Sequence, residues 1–307
     1  MDLQEIINGI YSDIKPHIGQ GRVVDYIPEL GQVPSNQFGI SLALPDGSVF
    51  SAGDADVFFS VQSISKVFLL TVTLKKVDED IWKRINREPF ACSFDSIGQL
   101  EKGNGVPCNP FVNAGAIVMT DVILEGSSVE HEIENFLNFV RDLANDTSIH
   151  INSSVANSEI STGYANIAFA NFMRSQGNLK HDVEDVLQVY CHHCALTMNC
   201  FQLARSGLYL ACRGYNPLTN KKVISEQQTR CLNAIMLTCG YYENSGDFAY
   251  RIGFPGKSGV GGGVLAIVPQ KASIAVWSPG LTDSGNSLLG IQALELLSAR
   301  TGWSIFE

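Results

Sequence analysis

Alternation of apolar and polar residues marks the two ends of the chain as strand-forming. In "QFGISLALPDGSVFSAG", two β-rich runs flank Pro45-Asp46-Gly47, a turn sequence that predicts a hairpin. Near the other end, "GVLAIVPQKASIAVWSPG" predicts two more strands around Pro269-Gln270-Lys271. A short helix is expected at "LQEIINGIYSDI", and "NSLLGIQALELLSARTG" has helical spacing between an Asn/Ser start and a Gly stop. The middle, roughly residues 66–245, changes period. "HEIENFLNFVRDLAND", "STGYANIAFANFMRSQ", "HDVEDVLQVYCHHCALTMNCFQLARSGLYLACRG" and "SEQQTRCLNAIMLTCGYY" repeat apolar residues at i, i+3, i+4 and i+7, which predicts a block of helices. Strands at both ends and helices between them predict an α/β fold. In it, residues 1–65 and 246–307 build one antiparallel sheet flanked by helices, an all-helical domain of residues 66–245 is inserted between its strands, and a site lies at the interface.

At 307 residues, with 45% hydrophobic and 17% charged positions, the chain has the composition of a folded globular protein of one large or two moderate domains. A formal net charge of −10 argues against a nucleic-acid or anionic-membrane surface, because counterion release needs clustered Lys and Arg. A small-molecule partner is expected instead. The N-terminal stretch has no basic segment leading into an apolar one, and no apolar run reaches the roughly 18 residues a membrane span needs. Eight cysteines, at 92, 108, 191, 194, 200, 212, 231 and 239, are therefore expected as reduced thiols in a cytoplasmic protein.

The stretch "FSVQSISKVFLL" sets Lys66 three residues after Ser63 in an apolar segment. If this opens a helix, the two side chains lie about one turn apart on one face, and the amine can serve as the base the hydroxyl needs. For that, its pKa must drop from about 10.4 by some 3 units, which burial supplies and exposure does not. An N-cap serine followed by a lysine that snorkels to water has the same spacing. A second element, Lys257-Ser258-Gly259 in "GFPGKSGVGGG", is expected to lead into the first strand after the helices, as K-[ST]-G does in penicillin-recognising serine enzymes. Its glycines let a backbone N–H approach a substrate closely and act as an oxyanion-hole donor, though a Gly-rich turn entering a strand reads alike.

With these two elements in place, the chain resembles the serine-dependent glutaminase family over nearly its whole length. The resemblance is carried by "DYIPEL", "FSVQSISKVF", "PCNPFVNAGAI", "NSEISTGYANIAFANF", "VYCHHCALTMNC", "GYYENSGDFAYRIGFPGKSGVGGGVLAIVP" and "WSPGLTDSGNSLLG". It implies a β-lactamase/transpeptidase-like fold and hydrolysis of L-glutamine to L-glutamate and ammonia, with no cofactor and no metal. It further implies Ser63 as nucleophile, Lys66 as its base, and Tyr242 as a proton relay whose phenol a nearby cation must make more acidic. The backbone N–H groups of Ser63 and Val260 would form the oxyanion hole. Glu159 would take the substrate's α-ammonium, while Tyr26, Asn113, Asn166 and Tyr190 would hold the α-carboxylate and close the pocket. Homo-oligomers, dimers or tetramers, are implied as well.

One departure from the wider penicillin-recognising pattern is the lack of S-D-N, which argues against β-lactamase activity. "CHHC" at 191–194 is read as part of a helix rather than a zinc site, because no second ligand pair accompanies it. "GVGGGV" enters a strand instead of opening a helix, so it is not read as a phosphate loop. A serine esterase or peptidase on the same scaffold, and a silent glutamine- or glutamate-binding protein, are the competing readings.

Overall fold

The computed structural model describes residues 1–89 and 97–306. Its strands are β1 (Gly39–Ala43), β2 (Val49–Gly53), β3 (Phe59–Ser60), β4 (His150–Ile151), β5 (Leu196–Met198), β6 (Tyr215–Asn216), β7 (Lys221–Lys222), β8 (Gly256–Ser258), β9 (Gly263–Val268) and β10 (Ala272–Trp277). The α-helices are α1 (Leu3–Ile14), α2 (Ser65–Val77), α3 (Ile97–Lys102), α4 (Asn113–Leu124), α5 (Val129–Ala144), α6 (Ser153–Thr162), α7 (Tyr164–Ser175), α8 (Val183–Cys194), α9 (Cys200–Ser206), α10 (Leu208–Ala211), α11 (Glu226–Cys239), α12 (Ser245–Arg251) and α13 (Leu288–Thr301).

Strands from the two chain ends form one antiparallel sheet in the order β2-β1-β10-β9-β8. Both expected hairpins are present: Ala43 pairs with Val49 across the Pro45-Asp46-Gly47 turn, and Val268 pairs with Ala272 across the Pro269-Gln270-Lys271 turn. Alternation then gives the sheet two apolar faces. Ile40, Leu42, Val264, Ala266, Val268, Ile274 and Val276 share a buried cluster with Ile7, Ile10 and Ile14 of α1 and with Leu289, Ala293, Leu294 and Leu297 of α13. Leu265, Ile267, Ala275 and Trp277 point the other way, into the larger cluster built by the helical block. At about 1.5–3 kcal/mol for each large apolar side chain removed from water, these two faces fix the register, since a one-residue slip would exchange them.

The helix ends follow their sequence signals. Asp2 caps α1 by accepting from the Glu5 N–H, and Ser287 caps α13, which stops at Gly302 with φ +66°. Ser225 and Gln228 form a capping box at α11.

The 66–245 block is not all-helical: it also carries the short strands β4, β5, β6 and β7, because two- and three-residue strands leave no period of their own in the sequence. Leu196–Met198 is strand β5, pairing with β3 on one side and β4 on the other. Gly163 separates α6 from α7 within what reads as one amphipathic run. The small β3-β5-β4 sheet matters most for the site, because β3 leads directly to Ser63, β4 leads into α6, and β5 follows α8. Lys257 and Ser258 lead into β9 through the 259–262 turn as expected, and are themselves part of a short edge strand, β8, that pairs with it.

No helix among the described residues is long and apolar enough to cross a membrane. The seven cysteines within the described residues are free thiols; Cys92 lies outside them.

Candidate active site

A cavity of 210 Å³ opens where the 3-10 turn Gln62–Ile64, α4, α6, α7, α8 and the β8–β9 turn converge. Its walls include Tyr26, Ser63, Asn113, Glu159, Asn166, Tyr190, Tyr242 and Val260, together with Gln62, Thr162, Gly163 and Ala165. Larger grooves exist, one of 380 Å³ sharing Glu159 and Asn166 with this cavity, one of 430 Å³ sharing Tyr26 and Val260, and one of 610 Å³ apart from it, so size does not single this cavity out. Its chemistry does: every residue expected at the site lines it except Lys66, which lies fully buried behind the wall and hydrogen-bonds to Asn113.

Ser63 occupies a 3-10 turn, Gln62–Ile64, just ahead of α2, so the S-x-x-K spacing spans the junction rather than lying inside the helix. Gln62 sits at φ +50°, a left-handed backbone that costs a non-glycine residue about 1 kcal/mol or more. Surrounding hydrogen bonds hold it there. The Val61 N–H donates to Leu196 O at 2.9 Å, Gln62 Nε2 to Ser60 Oγ at 3.0 Å, and Ser60 Oγ to Cys194 O at 3.1 Å. The strained turn presents the serine to the cavity while its backbone stays in the small sheet's frame.

Lys66 Nζ donates to Asn113 Oδ1 at 2.6 Å and to Phe111 O at 3.3 Å, and lies 6.0 Å from the centre of the Tyr190 ring. Burial brings its pKa down to about 8, against the opposing pull of the Glu159 charge. Asn113, the first residue of α4, passes the contact on by donating Nδ2 to Asn166 Oδ1 at 3.1 Å. An ammonium on one side and an acceptor on the other fix the amide's orientation.

Burial raises the Tyr242 phenol to about 12, and hydrogen bonding with the Ser63 side chain only partly offsets it. The expectation of an acidified phenol is therefore not met. Lys257 Nζ does lie 4.3 Å from the ring centre, but it is itself fully buried, and it donates to Gly240 O at 3.1 Å and Ser258 O at 2.6 Å. Desolvation of this amine, the largest effect upon it, disfavours the cationic form that would acidify the phenol.

The turn 259–262 is held against the serine segment by close backbone approach. A Cβ at Gly259 would meet Val61 O at 2.4 Å, and one at Gly261 would meet Ser60 O at 2.2 Å. Only glycine fits at either position. Trp277 Nε1 donates to Gly261 O at 2.9 Å and the Gly262 N–H to Gly259 O at 2.9 Å, so Val260 is carried to the cavity on a braced turn.

At the far wall, burial lifts the Glu159 carboxyl to about 7, with the Lys66 charge and hydrogen bonding from Cys194 and Gln62 pulling the other way. Its Oε2 is buried with no hydrogen-bond partner. An unpaired carboxylate oxygen on the wall of a cavity calls for a donor, and a cation answers best. Tyr26, by contrast, stands 55% exposed at the mouth.

Gln62 and Cys194 are additions that the sequence pattern does not single out. Gln62 stands directly before Ser63, and its position was its only signal; Cys194 is read as one more apolar residue of α8. Among the described residues no three His, Cys, Asp or Glu side chains are grouped to hold a metal ion.

Comparison with known proteins gives one consistent result. The family model described as Glutaminase matches residues 21–306. The thermolabile glutaminase of Rhizobium etli is 58% identical over 305 residues, covering 99% of each chain. Among solved structures, the probable glutaminase ybaS superposes with a TM-score of 0.93 at 36% identity over 99% of this chain and 98% of that one. A probable glutaminase from Bacillus subtilis, complexed with 6-diazo-5-oxo-L-norleucine, gives a TM-score of 0.90 at 31% identity, covering 100% of this chain and 97% of that one.

Proposed function

The chain belongs to the glutaminase family and has its β-lactamase-like fold, and from that premise we propose that it hydrolyses L-glutamine through a γ-glutamyl ester on Ser63. The observation that carries this reading is the cavity's polarity: a serine backed by a buried lysine at one wall, and the unpaired Glu159 oxygen at another. Glutamine matches both ends, with its α-ammonium on Glu159 and its side-chain amide at Ser63. Asn113, Asn166, Tyr190 and Tyr26 complete the hold on the α-carboxylate and the mouth.

In the first half-reaction Ser63 Oγ attacks the amide carbon and its proton passes to the neutral Lys66 amine, which a pKa of about 8 makes available near neutral pH. The Ser63 and Val260 N–H groups bind the developing oxyanion. Tyr242, raised to about 12, acts as a neutral phenol: it donates its proton toward the leaving nitrogen and takes one back from the lysine side. Ammonia departs, water enters, and the same groups reverse their roles to free glutamate.

The same proposal divides the chain into residues 1–65 with 246–307, which carry the five-stranded sheet and its flanking helices α1 and α13, and residues 66–245, which carry most of the helices. It places the site at their junction and the protein in the cytosol, a setting that the free thiols support. The test is ammonia release from L-glutamine and L-asparagine, with wild type beside Ser63→Ala. Glutamine turnover lost in the variant is expected; turnover that persists in Ser63→Ala would remove the serine from the mechanism.

A further inference from the structure

Among the described residues, eight that are not glycine have φ between +48° and +65°. Asp78, Asn104, Asn145 and Asn220 are of types that tolerate this left-handed backbone, and Arg213 and Gln270 stand in exposed turns away from the catalytic cavity. The other two, Gln62 and Tyr242, both line that cavity. Gln62 is held by the bonds of the serine segment. Tyr242, at φ +54°, is bulky and buried, and for such a residue this backbone is an outlier that its surroundings must impose.

Ser245 supplies that restraint. Its side chain is 3% exposed; Oγ donates to Tyr242 O at 2.8 Å and accepts from the Tyr241 N–H at 3.0 Å, so one hydroxyl grips both ends of the tyrosine pair. Ser245 opens α12, yet both bonds run back to the tyrosines and none goes to an N–H of the helix. A second anchor reaches the same turn. Asn286, fully buried, accepts from Ser258 Oγ at 2.6 Å and donates Nδ2 to Asn244 Oδ1 at 3.3 Å. This ties the 3-10 turn Tyr242–Asn244 to β8, the strand whose Lys257 lies against the Tyr242 ring.

We propose that Ser245 is a positioning residue for the reaction: its hydroxyl keeps Tyr242 in the left-handed conformation that aims the phenol at Ser63, with Asn286 steadying the turn through Asn244. The proposal rests on the reading of Tyr242 as the proton relay. The direction of a Cα–Cβ bond follows the backbone, so a turn relaxed to ordinary negative φ would swing the ring away from the Ser63 side chain, with which the phenol hydrogen-bonds. Ser245 is not in the cavity wall, so it acts through Tyr242 and touches no substrate.

The experiment is a double-mutant cycle on kcat and KM for L-glutamine, with wild type, Ser245→Ala, Tyr242→Phe and the two substitutions combined. Tyr242→Phe should lose about a hundredfold or more in kcat, as removal of a proton relay does. Ser245→Ala should lose about thirtyfold in kcat with KM changed less than about threefold, and its effect should shrink to about twofold at most in the Tyr242→Phe background. Asn244→Ala, at a half-buried position, provides a second reading should Ser245→Ala fold poorly: a loss of about fivefold that likewise disappears without the phenol. Losses of equal size in both backgrounds would make these residues supports of the fold alone and overturn the proposal, as would wild-type kcat in Ser245→Ala. Wild-type kcat in Tyr242→Phe would instead remove the relay reading, and the positioning role with it.

Discussion

Lys66 Nζ donates to Asn113 Oδ1 at 2.6 Å, so a neutral amide, not a carboxylate, is the nearest acceptor of this buried amine. A neutral acceptor orients the amine without stabilising its charged form as a carboxylate would, which leaves burial free to bring the pKa to about 8. In the proposed mechanism the amine acts as a neutral base, so kcat is expected to rise with pH through an ascending limb centred near 8. Asn113→Asp should move that limb alkaline and lower kcat at neutral pH by about tenfold or more. A pH–rate profile of the two proteins decides it, and an unmoved limb would mean that another group titrates.

The same amine carries a stability cost. Its proton leaves near pH 8 in the folded chain and near 10.5 in the unfolded one, so between these values the unfolded chain binds more protons and stability climbs with pH. Below pH 8 the full cost applies, on the order of 3 kcal/mol. Lys66→Met should therefore lose about 10²–10⁴ in kcat while resisting urea at pH 7 at least as well as wild type. Urea titration beside the assay separates the two effects; a variant that is both inactive and unstable would refute the cost.

Glu159 behaves with the opposite sign. Its folded pKa of about 7 lies above the ordinary 4.5, so its contribution favours the folded state at low pH and fades as pH rises through 7. The ionised form is the one a substrate ammonium needs, so KM for glutamine should fall as pH climbs through 7. Glu159→Gln should raise KM by about a hundredfold, flatten that dependence, and stabilise the empty protein above pH 7. Steady-state kinetics across pH reads the first two effects and thermal unfolding the third; an unchanged KM would detach Glu159 from the substrate.

Gly261→Ala should separate Val260, the proposed oxyanion donor, from Ser63, the proposed nucleophile. The added Cβ meets Ser60 O at 2.2 Å, so either the 259–262 turn or the strand ahead of Ser63 must shift. A kcat loss of about a hundredfold with a smaller change in KM is expected, the pattern of an interaction made mainly in the transition state. Equal damage to both constants would point instead to general disorder of the cavity.

Much of the sheet was legible from the chain because its signals are local. Pro45-Asp46-Gly47 marks one hairpin, and Ser287 and Gly302 bound the last helix. The small β3-β5-β4 sheet was not legible, since Leu196–Met198 is three residues long inside an apolar run that matches helical spacing equally well. Within the site, Ser63 and Lys66 stand out through their spacing on one segment. The aid that Cys194 and Gln62 give to Glu159 joins three distant segments, so no local period reports it. The direction of the Tyr242 shift also depended on depth: a lysine does stand by the ring, but both groups are dry, and desolvation is the largest effect on each.

The pairing of β1 with β10, Ile40 opposite Val276, sets an order of events during synthesis. Ser63 and Lys66 leave the ribosome after β2, which covers one edge of β1, but long before β10, which covers the other, and before Val260 exists. Until then β1 offers an open edge, and the serine has no braced turn against it. On the proposed roles of Ser63 and Val260, a nascent chain lacks its oxyanion donor through most of its growth, and its hazard in that interval is wrong pairing of an unclosed strand rather than premature breakdown of glutamine.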